Sequence, residues 1–491
     1  MSETRPPDPG VTETRKPLSL RAALLPIVAM FGLFVLGVAL LELSTELLIA
    51  VLLGSASVAG FVAARHGCTW DDIQRSTGEK LASVLPAVLI LLAIGMLIAT
   101  WVLSGTIPYL VYWGVQLVRP QYLVLTAFLA TAIMSSFTGT SWGSAGTIGV
   151  ALMGTAAALD APLAATAGAV VSGAYFGDKL SPLSDSTNIC AIGAGAPLYV
   201  HIRHMLYTAL PSFVLGLIVY TLAARFTPVS AVGLTENARV LLADLDDIYA
   251  LHWVVLVPPA VVVWSIVRRM PPALAIALSS LIAALLGILV QGFSVQDALV
   301  SAVGGFKLDM VSSLGSDPST LDAATRTLVE RGGLYSMANT LIVIISAFLL
   351  AGAMDVSGAL DLIIDRLLGA VRSVFGLIGA TMTAGGTMIA LTSHGGVTAL
   401  VIGGLFQKAY RERGLAPENL SRTLEDSVTI TEPLMPWTVS AVFMATTLGV
   451  PTIEYAPWAV FCYGGPIFSL ALAGLWKRTR FGIRPLEKPR A

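Results

Sequence analysis

The chain has 491 residues, 55% of them hydrophobic and only 12% charged, with a mean hydropathy of +0.80. A soluble chain of this length needs far more charge to solvate its surface, so that class is excluded. The net charge of −1 leaves no basic footprint for nucleic acid.

In chain order, residues 1–20 are polar and proline-rich and read as a disordered cytoplasmic N-terminus. No apolar stretch ends in a cleavage-like site, so no removable signal peptide is expected. Runs of roughly 20 apolar residues then recur, the length that spans hydrocarbon. They predict ten crossings: 22–40, 45–64, 82–103, 163–195, 204–224, 252–267, 272–291, 335–355, 423–450 and 456–476. Two further apolar regions, 121–158 and 374–410, are interrupted by the polar tips TSWGS (140–144) and TSHGG (392–396). Both read as re-entrant hairpins, with two ordinary crossings each as the alternative. Placing the N-terminus inside puts 22 Lys and Arg residues in cytoplasmic segments, Arg422 among them, and six outside. That bias puts both termini in the cytoplasm. Cys68, Cys190 and Cys462 lie far apart without metal-ligand spacing and read as packing residues.

The two halves resemble each other. TSWG at 140–143 returns as TSHG at 392–395, SPLSDST at 181–187 as EPLMPWT at 432–438, and LSG at 103–105 as VSG at 356–358. These offsets lie between 251 and 253, and they align Glu432 with Ser181. GCTWDD (67–72) and GFSVQD (292–297) match at a shorter offset, and an insertion at about 306–332 absorbs the difference. Five crossings per half is odd, so the second half is upside down relative to the first. The expected fold is an all-α polytopic membrane protein. It has two inverted-topology repeats, each of five transmembrane helices plus one re-entrant hairpin, with discontinuous helices at the midplane. The expected divisions are 21–226 for the first repeat, 227–251 for an external linker, 252–480 for the second repeat and 481–491 for a cytoplasmic tail.

Polar residues concentrate where the helices break. Pro182 interrupts GDKLSPLSDSTN, and Pro433 with Pro436 interrupts TEPLMPWT. Proline lacks an amide and disfavours helix at the residue before it. Buried charges cost several kcal/mol, so they mark function or need partners. Asp178, Lys179, Asp185, His394, Asp426 and Glu432 are therefore the candidate transport and proton-coupling residues. Hard cations prefer oxygen, which Ser181, Ser186, Thr187, Asn188, Thr140, Ser141, Thr392, Ser393 and Thr438 supply. Na⁺ is expected at Asp178 and Asp185, in competition with H⁺. Structural alternatives stay open: a Lys179 salt bridge that locks the break, Asp185 as a helix cap, tip hydroxyls that satisfy backbone, and a packing role for His394. Four carboxylates against one lysine favour a cation as cargo, and no arginine is expected at mid-membrane. Ser393 beside His394 does not suggest an enzyme, since neighbours on one backbone do not readily form a nucleophile–base pair. No HExxH motif appears either.

The segments SSFTGTSWGSAGTIGVALMG (135–154), GAYFGDKLSPLSDSTN (173–188) and LEDSVTITEPLMPWTVSAVFMATTLGV (424–450) resemble the NhaC family of sodium/proton antiporters, within the ion transporter superfamily. The resemblance runs from about residue 20 to 480. It implies a prokaryotic inner-membrane antiporter embedded in lipid, built on inverted repeats with two re-entrant hairpins and often a homodimer. It implies no cofactor beyond the transported Na⁺ and H⁺. Some members exchange malate and lactate, which keeps H⁺- or Na⁺-coupled carboxylate exchange as the alternative.

Overall fold

A computed structural model describes residues 18–41, 44–226, 236–369, 371–479 and 481–486. Most of the expected disordered N-terminus, part of the expected linker (227–235) and the end of the tail (487–491) lie outside the described residues. The described elements are helical, apart from one isolated bridge between Leu415 and Pro485. Among the described residues, eight helices are long and apolar enough to cross a membrane. Two further pairs, bent by 99° and 57°, would bring the number to ten. The chain is a multi-pass helical membrane protein.

One bent pair revises the expected elements. Residues 238–248 and 253–265 form two helical pieces at 99°, so the described part of the stretch read as a linker is mostly helix. It packs on the short helix Ala323–Val329, from the segment read as an insertion. Thr325 donates to Asp244 at 2.6 Å across that contact.

The chain divides into two units. In the smaller one, up to residue 82 together with 345–369, the helices Leu20–Leu40 and Thr45–Arg65 pack together, and the first also packs on Ala359–Gly369. Asp355 accepts from Ser76 at 2.9 Å and pairs with Lys80 at 3.4 Å.

The larger unit is organised by Leu163–Leu180, which lies along Leu123–Thr138. Gly173 and Gly177, four residues apart, share one face of this helix. A Cβ on Gly173 would overlap the Phe128 carbonyl and Thr131 hydroxyl, and one on Gly177 would overlap the Ser136 amide. Only glycine lets the backbones approach this closely, the small-residue packing of membrane helices. Ser135 Oγ fastens the contact with a 2.6 Å bond to the Ala174 carbonyl. This locks the first broken helix to the first arm of the 121–158 region.

Candidate functional site

The first break is held open by its own side chains. Leu163–Leu180 ends on Ser181, and Asp185–Ala194 starts after the N-cap Ser184. Asn188 Nδ2 donates to the carbonyls of Pro182 (3.1 Å) and Ser184 (2.7 Å). Thr187 Oγ1 donates to the carbonyls of Asp178 (3.3 Å) and Lys179 (3.1 Å). Asn188 and Thr187 thus use their donors to satisfy backbone carbonyls around the break. Ser181 is buried against the tip, where a Cβ on Gly139 would lie 3.0 Å from its hydroxyl. Asp185 opens the second half-helix with its side chain exposed.

Both tips fall where the sequence places them, and the arms on either side of each pack together. Leu123–Thr138 ends on left-handed Gly139 (φ 67°), and Thr140 caps the next helix by accepting from the Gly143 amide at 3.2 Å. A single π turn follows at Ala145–Gly149. Val374–Thr392 ends on left-handed Ser393 (φ 58°), followed by His394 and the helix Gly395–Glu412. Each tip grips a carboxylate from the break beside it. Ser141 Oγ donates to Asp178 Oδ2 at 3.1 Å, and the Gly395 amide donates to Glu432 Oε2 at 3.1 Å. The Ser440 amide holds Glu432 Oε1 at 3.3 Å, and Thr438 Oγ1 bonds the Glu432 carbonyl at 2.6 Å.

These features recur at one spacing, 254 residues: Gly139 and Ser393, Ser141 and Gly395, Asp178 and Glu432, Pro182 and Pro436, Ser184 and Thr438. Even the tip hydroxyls pair alike, Thr138 with Ser144 at 3.2 Å and Thr392 with Thr398 at 2.6 Å. The offsets of 251 and 252 read at the breaks and tips are therefore slipped by two to three residues, whereas LSG and VSG keep 253, with left-handed Gly105 and Gly358 in matching places. The geometric counterpart of Glu432 is Asp178, not Ser181, and that of His394 is Thr140. The cause is physical: left-handed caps and prolines set the register, whereas Thr-Ser letters can shift around them.

The second broken helix runs Pro417–Leu424, then a π turn at Glu425–Thr429 and a 3₁₀ turn at Glu432–Leu434. Its acids meet those of the first. Lys179 Nζ is bonded to Asp426 Oδ1, and both side chains are fully buried. Thr208 donates to the same oxygen at 3.1 Å, and Arg422 Nε lies 3.8 Å from Oδ2. Beside this pair, Ser186 Oγ reaches Asp178 Oδ2 at 3.5 Å and Glu425 Oε1 at 3.2 Å. Thr429 supports the same Glu425 oxygen at 2.8 Å. The carboxylate that shares a hydroxyl with Asp178 is thus Glu425, rather than Asp185. The π turn widens the helix where Glu425 and Asp426 turn inward, a distortion common at functional sites.

Among the expected site residues, Asp178, Lys179, Ser141, Ser186 and Asp426 come together here. Glu432, Thr438, Thr392 and Ser393 form the matching set around the second tip. Ser393 is buried and its carbonyl accepts from the Val439 amide at 3.1 Å. His394 is half-buried beside Ser393, with no hydrogen bond to Nδ1. Glu425, Thr208 and Arg422 were not anticipated. Arg422 is wholly buried rather than in a cytoplasmic loop, and the i, i+4 spacing to Asp426 was the available signal. Among the described residues no three His, Cys, Asp or Glu side chains gather as a metal centre. A cation here would have to rely on carboxylate, hydroxyl and carbonyl oxygens.

The profile of the Na⁺/H⁺ antiporter family matches residues 173–475, the stretch that holds both breaks and the crossing acids. The chain belongs to the Na⁺/H⁺ antiporter family. An uncharacterized Na⁺/H⁺ antiporter of Haemophilus influenzae is 45% identical over 97% of this chain and 99% of its own length. The Na⁺/H⁺ antiporter NhaC of Alkalihalophilus pseudofirmus is 35% identical over 82% of this chain and 84% of its own. The malate-2H⁺/Na⁺-lactate antiporter of Bacillus subtilis is 30% identical over 82% and 83%. This antiporter-family chain is thus a transporter and not an enzyme.

Proposed function

We propose that the chain exchanges Na⁺ or Li⁺ for H⁺ at the buried carboxylates Asp178 and Glu425, which share the Ser186 hydroxyl. That shared hydroxyl carries the reading. Two buried carboxylates facing one hydroxyl, which has a single proton to donate, favour a cation between them. A proton or a Na⁺ serves equally, so the two compete, and the hydroxyls of Ser141 and Ser186 are the further ligands. The Lys179–Asp426 pair fixes the two broken helices across the site. The 254-residue recurrence supports two inverted repeats with the tips as re-entrant hairpins. The charge bias supports cytoplasmic termini, and the family resemblance supports an inner-membrane location and a homodimer. In everted vesicles, Na⁺ should collapse a respiration-driven pH gradient in the wild type. It should not do so with Asp178→Asn or Glu425→Gln inserted at wild-type levels. Full exchange in either variant removes that residue from the site.

A second reading, carboxylate exchange, draws on the buried guanidinium of Arg422 and on the malate/lactate relative. Arg422 Nη1 is engaged by the Gly482 carbonyl and His204, and its Nε faces the Asp426 carboxylate at 3.8 Å; a counter-charge already in place favours the cation reading. Counterflow of labelled malate or lactate in proteoliposomes would reverse that preference.

A further inference from the structure

Arg422 sits one turn before Asp426 on the second broken helix, and its side chain is completely buried. Its Nη1 donates to the Gly482 carbonyl and meets His204 Nε2 at 3.1 Å. Arginine only donates, so His204 accepts at Nε2 and is neutral, with its proton on Nδ1. Arg422 is thus anchored on its far side by neutral acceptors, and its charge is directed at Asp426.

The charges can then be added. Lys179 and Arg422 supply two positive charges. Asp426 supplies one negative charge, and Asp178 with Glu425 supplies a second when the two hold one proton. The cluster is neutral. Replacing that proton by Na⁺ leaves it neutral. Without Arg422, neutrality requires a second proton on Asp178 and Glu425, and the single-cation competition is lost.

We infer that Arg422 is a positioning residue that sets the proton occupancy of the exchange site. It acts as a fixed buried charge, held 3.8 Å from Asp426, that leaves room for one cation at Asp178 and Glu425. The inference rests on the reading of those two carboxylates as the exchange site.

Among the described residues the surrounding elements add no buried positive charge that would replace it; Asp185, exposed at the start of the next half-helix, is the further acid near Asp178. On Leu198–Phe226, His201 has no hydrogen bond at either nitrogen among the described residues, and a buried imidazole in that state is neutral. Tyr207 and Tyr410 are phenols, and Cys190 and Cys462, on the neighbouring helices, are thiols. From the C-terminal segment, Arg484 is engaged by Glu418 at 3.3 Å.

The test is the pH dependence of Na⁺-driven proton flux in proteoliposomes of the purified full chain. Loss of a neighbouring positive charge makes carboxylates hold protons more tightly, so release needs higher pH. Arg422→Gln should move the midpoint of the profile to alkaline pH by about one unit, the low end for a neighbouring opposite charge. Arg422→Lys should keep the wild-type midpoint. Arg422→Gln with Asp426→Asn removes one charge of each sign and should return the midpoint toward wild type. If Arg422→Gln alone does not fold, adding it to Asp426→Asn should produce the same alkaline displacement. A merely structural Arg422 would lower yield or maximal flux and leave the midpoint in place, which overturns the inference. Should Asp178→Asn and Glu425→Gln exchange normally in the same preparation, the site assignment itself has failed. If they are inactive and Arg422→Gln keeps the wild-type midpoint, only the role of Arg422 has.

Discussion

Lys179→Met is the sharpest test of the packing between the two broken helices. Lys179 and Asp426 are bonded with both side chains fully buried. Removing one partner of a buried pair typically costs about 3–5 kcal/mol, because the other charge is stranded. Asp426 is not left alone here: Thr208 donates to its Oδ1 at 3.1 Å and Arg422 stands 3.8 Å from its Oδ2. The cost should therefore fall near the low end, about 3 kcal/mol. Thr208 and Lys179 share one oxygen, so their effects should not add. Thr208→Val in the wild-type background should cost about 1 kcal/mol, an ordinary net hydrogen bond. In the Lys179→Met background Thr208 is the last donor to that oxygen, and the cost should rise to about 2 kcal/mol, as for a bond to a charged group. The double-mutant cycle is measured by equilibrium unfolding in mixed micelles. Additive effects, or a Lys179→Met cost under about 1 kcal/mol, would refute the reasoning.

Two further outcomes follow from backbone geometry. Gly173→Ala should sharply reduce monodisperse protein on size-exclusion chromatography, because its Cβ would overlap the Phe128 carbonyl, while Gly78→Ala, with no heavy atom within 4 Å of its Cβ, should not. Ser393 holds a left-handed φ of 58°, a strain of roughly 1–3 kcal/mol for a non-glycine residue. Ser393→Gly gives up only a 3.5 Å contact to the Trp437 carbonyl and should raise the thermal midpoint; a lower midpoint would show that the contact outweighs the strain.

Hydropathy and proline placement made much of the fold readable. The apolar runs marked eight long helices, and Pro182, Pro436 and the TSWG and TSHG tips marked the interruptions. Register was harder to read. Motif letters put Glu432 with Ser181, whereas the caps and prolines put it with Asp178. Pairings between distant segments were also hidden. Nothing local in LEDSV shows that Glu425 faces Asp178, since that depends on how two broken helices cross. Arg422 was misread for a related reason: a charge count assigns arginines to loops, and only the buried Gly482 carbonyl and Asp426 explain this one. Asp185 lies in the polar run, but a helix first turn favours an exposed acid for its own sake, so its presence there carries little information about the site.

The two tips, so alike in geometry, differ in the atom they offer. The first gives Asp178 a hydroxyl, from Ser141, and the second gives Glu432 a backbone amide, from Gly395. An amide can only donate, so Glu432, held by the Gly395 and Ser440 amides, is fixed as an acceptor. A hydroxyl can donate to a carboxylate, or turn and present its lone pairs to a cation bound beside that carboxylate. Asp178, with Ser141 and Ser186 around it, can therefore change partners without moving the backbone. Glu432 also has the Ser440 hydroxyl beside it, but its Oε2 is held by the tip's own backbone. This asymmetry favours the first tip as the place of exchange and gives the second tip the task of holding its own break in shape.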